Sequence, residues 1–199
     1  WDTNSQTSEI NRNAGIKAVK VDSELFQLIE RAIGISKLTD GAFDISYASM
    51  DRIWKFDGSI TEMPSEEKIK ESVAKVGFKN IILDKENSTV FLKLEGMKIG
   101  FGAIGKGYAA DKAKSLLISK GVSSGIINAS GDMNTWGKQT NGEDWKVAIT
   151  NPLNKDKIYI QIREQERNQI EYILDNYNDM KLFKTYLIFF LSVFFFNSS

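Results

Sequence analysis

The sequence predicts an α+β fold, with mixed or antiparallel sheets and helices packed against them. Three patterns carry that expectation. Leu25, Leu28, Ile29, Ala32 and Ile33 recur at helical spacing and mark an amphipathic helix. Two short apolar runs, residues 79–83 and 88–94, flank a polar turn at 84–87 and read as a hairpin. A glycine-rich block, residues 100–111, stands between an apolar run and a helical pattern.

In chain order, residues 1–20 read as polar and turn-rich, with Ser, Thr and Asn clustered before Gly15. Asp22 and Ser23 can cap the first helix, and Gly34 and Lys37 close it. Thr39-Asp40-Gly41-Ala42-Phe43-Asp44 follows as a turn, and residues 54–59 read as loop. Pro64 in the first turn, Glu66 and Glu67 near the start and Gly77 past the end frame a second helix with Ile69, Val73 and Val76 inward. After the hairpin, residues 90–94 and 97–99 read as strand leading into the glycine block. A helix carrying Ala109, Ala113, Leu116 and Leu117 leads out and ends at Gly121. Residues 124–128 read as a strand, and the alternation of Trp145, Val147 and Ile149 reads as another. The composition then changes abruptly. Residues 163–171 are dense in charge and amide, and residues 186–196 are almost wholly apolar. That apolar run is too short to cross a bilayer core as a helix, which takes about 20 residues. The tail therefore reads as a translated frameshift or assembly artefact ahead of a C-terminal membrane association.

A chain of 199 residues suffices for one domain with a full core. Its 26 basic and 26 acidic residues balance, so nothing in the charge suggests nucleic acid as a partner. Cysteine and histidine are both absent. Thiolate catalysis, an imidazole base, a Ser-His-Asp triad and histidine-ligated zinc are thereby excluded for this chain. Any metal must be held by oxygen, which points to Mg²⁺ or Ca²⁺.

The glycine block fits G-x-G-x-x-G, but its context does not fit a dinucleotide-binding unit. That fingerprint belongs to the first strand of a βαβ unit, with an acidic residue about 20 positions on. Here the block lies midway along the chain, after a hairpin, and Asp132 is too distant. A P-loop fails because Gly107 stands at the hydroxyl position. Read alone, the block is tight strand-to-helix packing. The turn before Asp44, read alone, is a capped turn whose Phe43 plugs the core. Ser130-Gly131-Asp132 is a hairpin turn, and Trp1-Asp2-x-x-Ser5-x-x-Ser8-x-x-Asn11 is a polar loop with local hydrogen bonds.

Taken in order, these motifs resemble those of the ApbE family, the FAD:protein FMN transferases. Its pattern runs from an aromatic-x-x-x-Ser-x-x-Ser-x-x-Asn, through Gly-Ala-Phe-Asp and Trp-x-Phe/Tyr-Gly, to Lys-Gly-Tyr-x-x-Asp and Gly-Gly-Asp. This chain has Trp1, Ser5, Ser8 and Asn11; Gly41 to Asp44; Trp54-Lys55-Phe56; Lys106 to Asp111; and Ser130-Gly131-Asp132. The resemblance covers about residues 1–155 and sets residues 156–199 apart as a non-matching tail.

The resemblance implies an ApbE-like, T-fold-like α+β domain that binds FAD and Mg²⁺. It implies transfer of FMN to a threonine of an acceptor protein, such as a subunit of a membrane redox complex, with AMP released. It implies a bacterial cell envelope location, anchored to the inner membrane on its periplasmic side. Residue by residue, Trp1 matches the aromatic that contacts the flavin, and Asn11 an asparagine near it. Ala42, Phe43 and Asp44 match the segment lining the FAD site. Gly100 occupies a cofactor position where many members carry aspartate. Lys106 matches a residue near the FAD that would help neutralise the diphosphate, and Ala103 the residue whose backbone carbonyl is a Mg²⁺ ligand. Ser130 replaces the first glycine of Gly-Gly-Asp. Nothing after Asn154 matches the family's C-terminal Asp and Thr or Ser metal ligands, and Asn151-Pro152 lacks the following Thr-Gly. The chain therefore reads as the middle of a larger enzyme, truncated at both ends and impaired in transfer; the alternative is a non-catalytic FAD-binding fragment.

Overall fold

A computed structural model describes residues 2–51, 53, 63–151 and 154–163. The chain divides into two compact units, Trp1–Phe101 and Gly102–Ser199.

The first unit opens with a helix where a polar loop was expected. α1 spans Gln6–Arg12, with Ser5 as its N-cap accepting from the Ser8 amide. The hydroxyls of Ser5 and Ser8 both donate to the Asp2 carbonyl, at 2.9 and 2.7 Å. Spacing by three, read as local loop bonding, is thus one helix face and its cap. β1 is the short strand Val19–Lys20. α2 runs Ser23–Leu38 from the expected cap, Asp22, and buries Phe26, Leu28, Ile29, Ala32 and Ile33. Leu25 is only half-buried, and Gly34 lies inside the helix instead of closing it. The helix ends where Asp40 turns left-handed (φ 49°) and the Gly41 amide reaches back to the Ser36 carbonyl at 2.8 Å, a Schellman closure. A 3₁₀ turn follows at Ile45–Ser49.

α3, Glu66–Val73, is capped by Ser65, so Pro64 stands before the cap and not in the first turn. Val73, expected inward, is exposed, and Ile69 and Val76 are half-buried; Ser72 is the residue this helix buries. The hairpin forms as read: β2 (Ile81–Asp84) pairs antiparallel with β3 (Thr89–Leu92), Ile81 opposite Leu92 and Asp84 opposite Thr89. The Asp84 carboxylate closes the turn by accepting from the Glu86 and Asn87 amides and the Asn87 side chain. β1 joins the far edge of β3, giving the order β1-β3-β2. Ile10, Ile29, Ala32, Ile45, Val90, Leu92, Met97 and Ile99 form the core of this unit.

In the second unit, α4 spans Gly105–Ser119. It buries Gly107 and Ala110, whereas Ala109 and Leu116 face solvent. β4 (Gly125–Ala129) and β5 (Asp132–Trp136) form an antiparallel ribbon packed on α4. Gly125 lies opposite Trp136, and any Cβ there would fall 2.5 Å from the indole ring, so only glycine admits the ring. The Trp136 Nε1 donates to the Val122 carbonyl at 3.0 Å. β6 (Lys146–Asn151) pairs antiparallel with β7 (Asn154–Arg163), which crosses the boundary placed at residue 155. The fold is α+β, as the sequence predicts. Among the described residues no helix is long and apolar enough to cross a membrane.

Candidate functional site

The first unit gathers two of the candidate positions, Asn11 and Gly100, around one extended segment. Residues 97–99 read as a strand in the sequence, but among the described residues no strand pairs with them. Side chains and a turn carbonyl stand in for the missing ladder. On one edge, the Asn11 amide group donates to the Ile99 carbonyl at 3.1 Å and its oxygen accepts from the Ile99 amide at 2.8 Å. On the other edge, the Ser49 hydroxyl donates to the Lys98 carbonyl and accepts from the Lys98 amide, both at 2.8 Å. The Gly100 amide then donates to the Ile45 carbonyl at 2.9 Å. Alternating residues of an extended chain present their polar groups to opposite edges, which is why Asn11 meets Ile99 while Ser49 and Ile45 meet its neighbours. Asn11 therefore spends its side chain on the backbone leading into Gly100.

Asp44 works similarly. Its Oδ1 accepts from the Ser46 amide at 2.8 Å and the Ser46 hydroxyl at 2.6 Å, and its Oδ2 accepts from the Phe78 amide at 2.7 Å. The Ser46 hydroxyl in turn accepts from the Gly77 amide at 2.7 Å. These bonds pin the turn after α2 onto the loop before β2. The Phe43 amide donates to the Thr39 hydroxyl at 3.1 Å. Ala42 is exposed and Phe43 half-buried, so Phe43 does not plug the core. The turn instead presents Ala42 and part of the Phe43 ring outward, on a backbone fixed at both ends. Ser46 and Ser49 carry this geometry and were not singled out in the sequence, where an isolated serine has no periodicity to betray it.

In the second unit, Lys106 is the second residue of α4, whose N-cap, Ile104, makes no side-chain capping bond. The Lys106 Nζ donates to the Ser130 carbonyl at 3.2 Å and lies 3.7 Å from Asp132 Oδ2. Two motifs far apart in sequence thus meet. Deeper along the helix, Asn134 Nδ2 donates to Asp111 Oδ1, and Lys114 Nζ donates to Asn134 Oδ1 and the Thr135 carbonyl at 2.8 and 2.7 Å. Asp111, the last residue of the Lys-Gly-Tyr-x-x-Asp motif, is in this way tied to buried Asn134. Ala103 lies in the turn just before α4, half-buried.

Trp1 and the Trp54-Lys55-Phe56 motif lie outside the described residues. Among the described residues no group of three or more acidic side chains could hold a metal ion. The Ala103 carbonyl offers one neutral oxygen, and a hard dication needs about six. The described donor set does not by itself fit Mg²⁺.

The fold is shared with solved structures. The crystal structure of the ApbE protein from Thermotoga maritima matches with a TM-score of 0.71 at 31% identity, over 82% of this chain and 53% of that one. The flavin transferase ApbE from Vibrio cholerae has the same fold, with a TM-score of 0.69 at 20% identity over 81% of this chain and 52% of that one. An FAD:protein FMN transferase of Klebsiella pneumoniae is 33% identical over 149 residues, 75% of this chain and 45% of the relative. The ApbE family profile matches residues 1–170, beyond the stretch where the motifs lie. The chain belongs to the ApbE family. It spans about half the length of the curated relatives it matches.

Proposed function

We propose that this chain is part of an FAD:protein FMN transferase, which moves FMN from FAD to a threonine of an acceptor protein in a Mg²⁺-dependent reaction. Membership of the ApbE family over residues 1–170 carries the reading. In this reaction the threonine oxygen forms a bond to the FMN phosphorus, the diphosphate bond breaks, AMP leaves, and the hydroxyl proton passes to solvent or a base. Phosphoryl transfer of this kind depends on positioning and charge neutralisation. That suits a chain with no histidine and no cysteine.

The roles proposed for its residues are those that the family resemblance implies. The outward turn of Ala42 and Phe43, held by Asp44, would receive the flavin together with Trp1. Gly100 is proposed as a cofactor-side position, at the end of a segment held by Asn11. Lys106, a half-exposed ammonium at an uncapped helix start, would face the diphosphate, where helix amides also favour negative charge. The Mg²⁺ dependence is proposed from the family resemblance alone; the Ala103 carbonyl would be one ligand, and the described residues do not supply the rest. The acceptor is proposed to be a protein of a membrane redox complex, at the periplasmic side of a bacterial inner membrane; fractionation of cells expressing the natural gene tests the location.

The direct test mixes the chain with FAD, Mg²⁺ and a threonine-bearing acceptor, and reads covalent flavin fluorescence on the acceptor and AMP release. FAD should be retained on dialysis, and labelling should fall below that of the K. pneumoniae relative. FAD consumed without labelling overturns transfer in favour of hydrolysis. Metal-insensitive retention with neither product supports the alternative of a non-catalytic FAD-binding chain. Failure to retain FAD overturns the flavin reading altogether.

A further inference from the structure

The turn Ser130-Gly131-Asp132 has no part in the function proposed above, yet it carries both oxygens that hold Lys106. The geometry points to Asp132 as a positioning residue that, with the Ser130 carbonyl, pre-orients Lys106 for a diphosphate-bearing ligand; for FAD this rests on the proposed flavin reading. β4 and β5 pair as far as Ala129 opposite Asp132, which leaves Ser130 and Gly131 as a two-residue loop. Both loop residues have positive φ, 53° and 101°, as a type I′ hairpin turn requires. The Asn128 side-chain oxygen accepts from the Gly131 amide at 2.8 Å and locks that turn. The locked turn sets the Ser130 carbonyl 3.2 Å, and Asp132 Oδ2 3.7 Å, from the Lys106 Nζ.

An ammonium has three N–H donors. One serves the Ser130 carbonyl, the carboxylate attracts the ammonium from a second direction, and a third donor remains for an incoming anion. The lysine side chain is 52% exposed and the carboxylate 15%, so the cation is the member of the pair that a ligand reaches. The Asp132 charge opposes an anion, but a lysine already held gives up less rotamer freedom on gripping a phosphate. We take the positioning effect to outweigh the repulsion, a balance that Asp132→Asn measures directly.

Equilibrium dialysis of the full chain at low salt tests this, with FAD and with riboflavin, which has the ring but no phosphate. Asp132→Asn and Lys106→Met should each weaken FAD about threefold, the scale of an exposed ion pair. Asp132→Glu should bind close to wild type, and the double variant Lys106→Met/Asp132→Asn no more weakly than Lys106→Met alone. Riboflavin affinity should be the same in every variant, which also shows that each one folds. Equal or tighter FAD binding by Asp132→Asn overturns the proposal. So does a parallel loss for riboflavin, which would make Asp132 structural. If the wild-type chain retains no FAD, the flavin reading falls and this proposal falls with it; FAD retained alike by wild type and Asp132→Asn sinks the proposal alone.

Discussion

Asn11 shows what a motif residue can hold that its spacing does not reveal. Its spacing from Ser5 and Ser8 marked it in the sequence, but the partner of its amide, Ile99, lies 88 residues away. Ile99 is 1% exposed, so without Asn11 its amide and carbonyl would be left unpaired in the core. Asn11→Ala should therefore cost about 2–4 kcal/mol of stability. Urea unfolding measures it, and a loss under about 0.5 kcal/mol would show that the splint carries no weight. Ser130 makes the opposite case. It holds a left-handed backbone with a side chain, at φ 53°. Ser130→Gly should relieve that strain and raise stability by about 0.5–1 kcal/mol, the usual cost of a left-handed non-glycine residue less glycine's added chain entropy. A lower unfolding midpoint would contradict it.

At the scale of elements, α2 was the most legible part of the chain because a local period and a local cap specify it. Asp22 accepts from the Leu25 amide at 2.8 Å and pairs with both ends of the Gln6 side-chain amide, joining α2 to α1. The Leu25 bond first, and the Gln6 bond next, hold its carboxyl below the ordinary carboxylate range. A lowered folded value means that the ionised cap contributes fully above the unfolded value near 4 and loses its contribution as pH falls through the folded one. Asp22→Ala should cost about 1 kcal/mol at pH 7. Thermal midpoints of wild type and variant should converge as pH drops below about 4; a gap that stays constant would refute the ionic part. Gly34 lies inside this helix with nothing within 4 Å of a Cβ built there. Gly34→Ala should stabilise by about 0.5–1 kcal/mol in the same assay. α1 and the burial pattern of α4 were less legible. α1 has seven residues and buries only Ile10, too few apolar positions to show a period. α4 buries a glycine and an alanine, so its inward face does not stand out by hydropathy.

For the whole molecule, inventory decides the chemistry. With no histidine and no cysteine, no side chain has an ordinary pKa between about 6 and 8. FAD retention by this chain should be flat across that range in equilibrium dialysis, and a sigmoid there would mean a strongly displaced carboxylate or lysine. The balance of 26 cations against 26 anions predicts no retention on heparin at moderate salt.

The sequence by itself determined the α+β class, the cap and face of α2, the β2–β3 hairpin and the family resemblance that the comparisons then matched. It also excluded histidine and cysteine as metal ligands from this chain. These rest on local period, turn chemistry and residue inventory, which need no knowledge of distant neighbours. Only the tertiary structure decided what the motif side chains hold. It turned Asn11 and Asp44 into backbone splints, made a serine hydroxyl complete the edge of the segment before the glycine block, and set Lys106 against Asp132. Such contacts form between residues tens of positions apart, and chain closure creates them where local propensity leaves no trace.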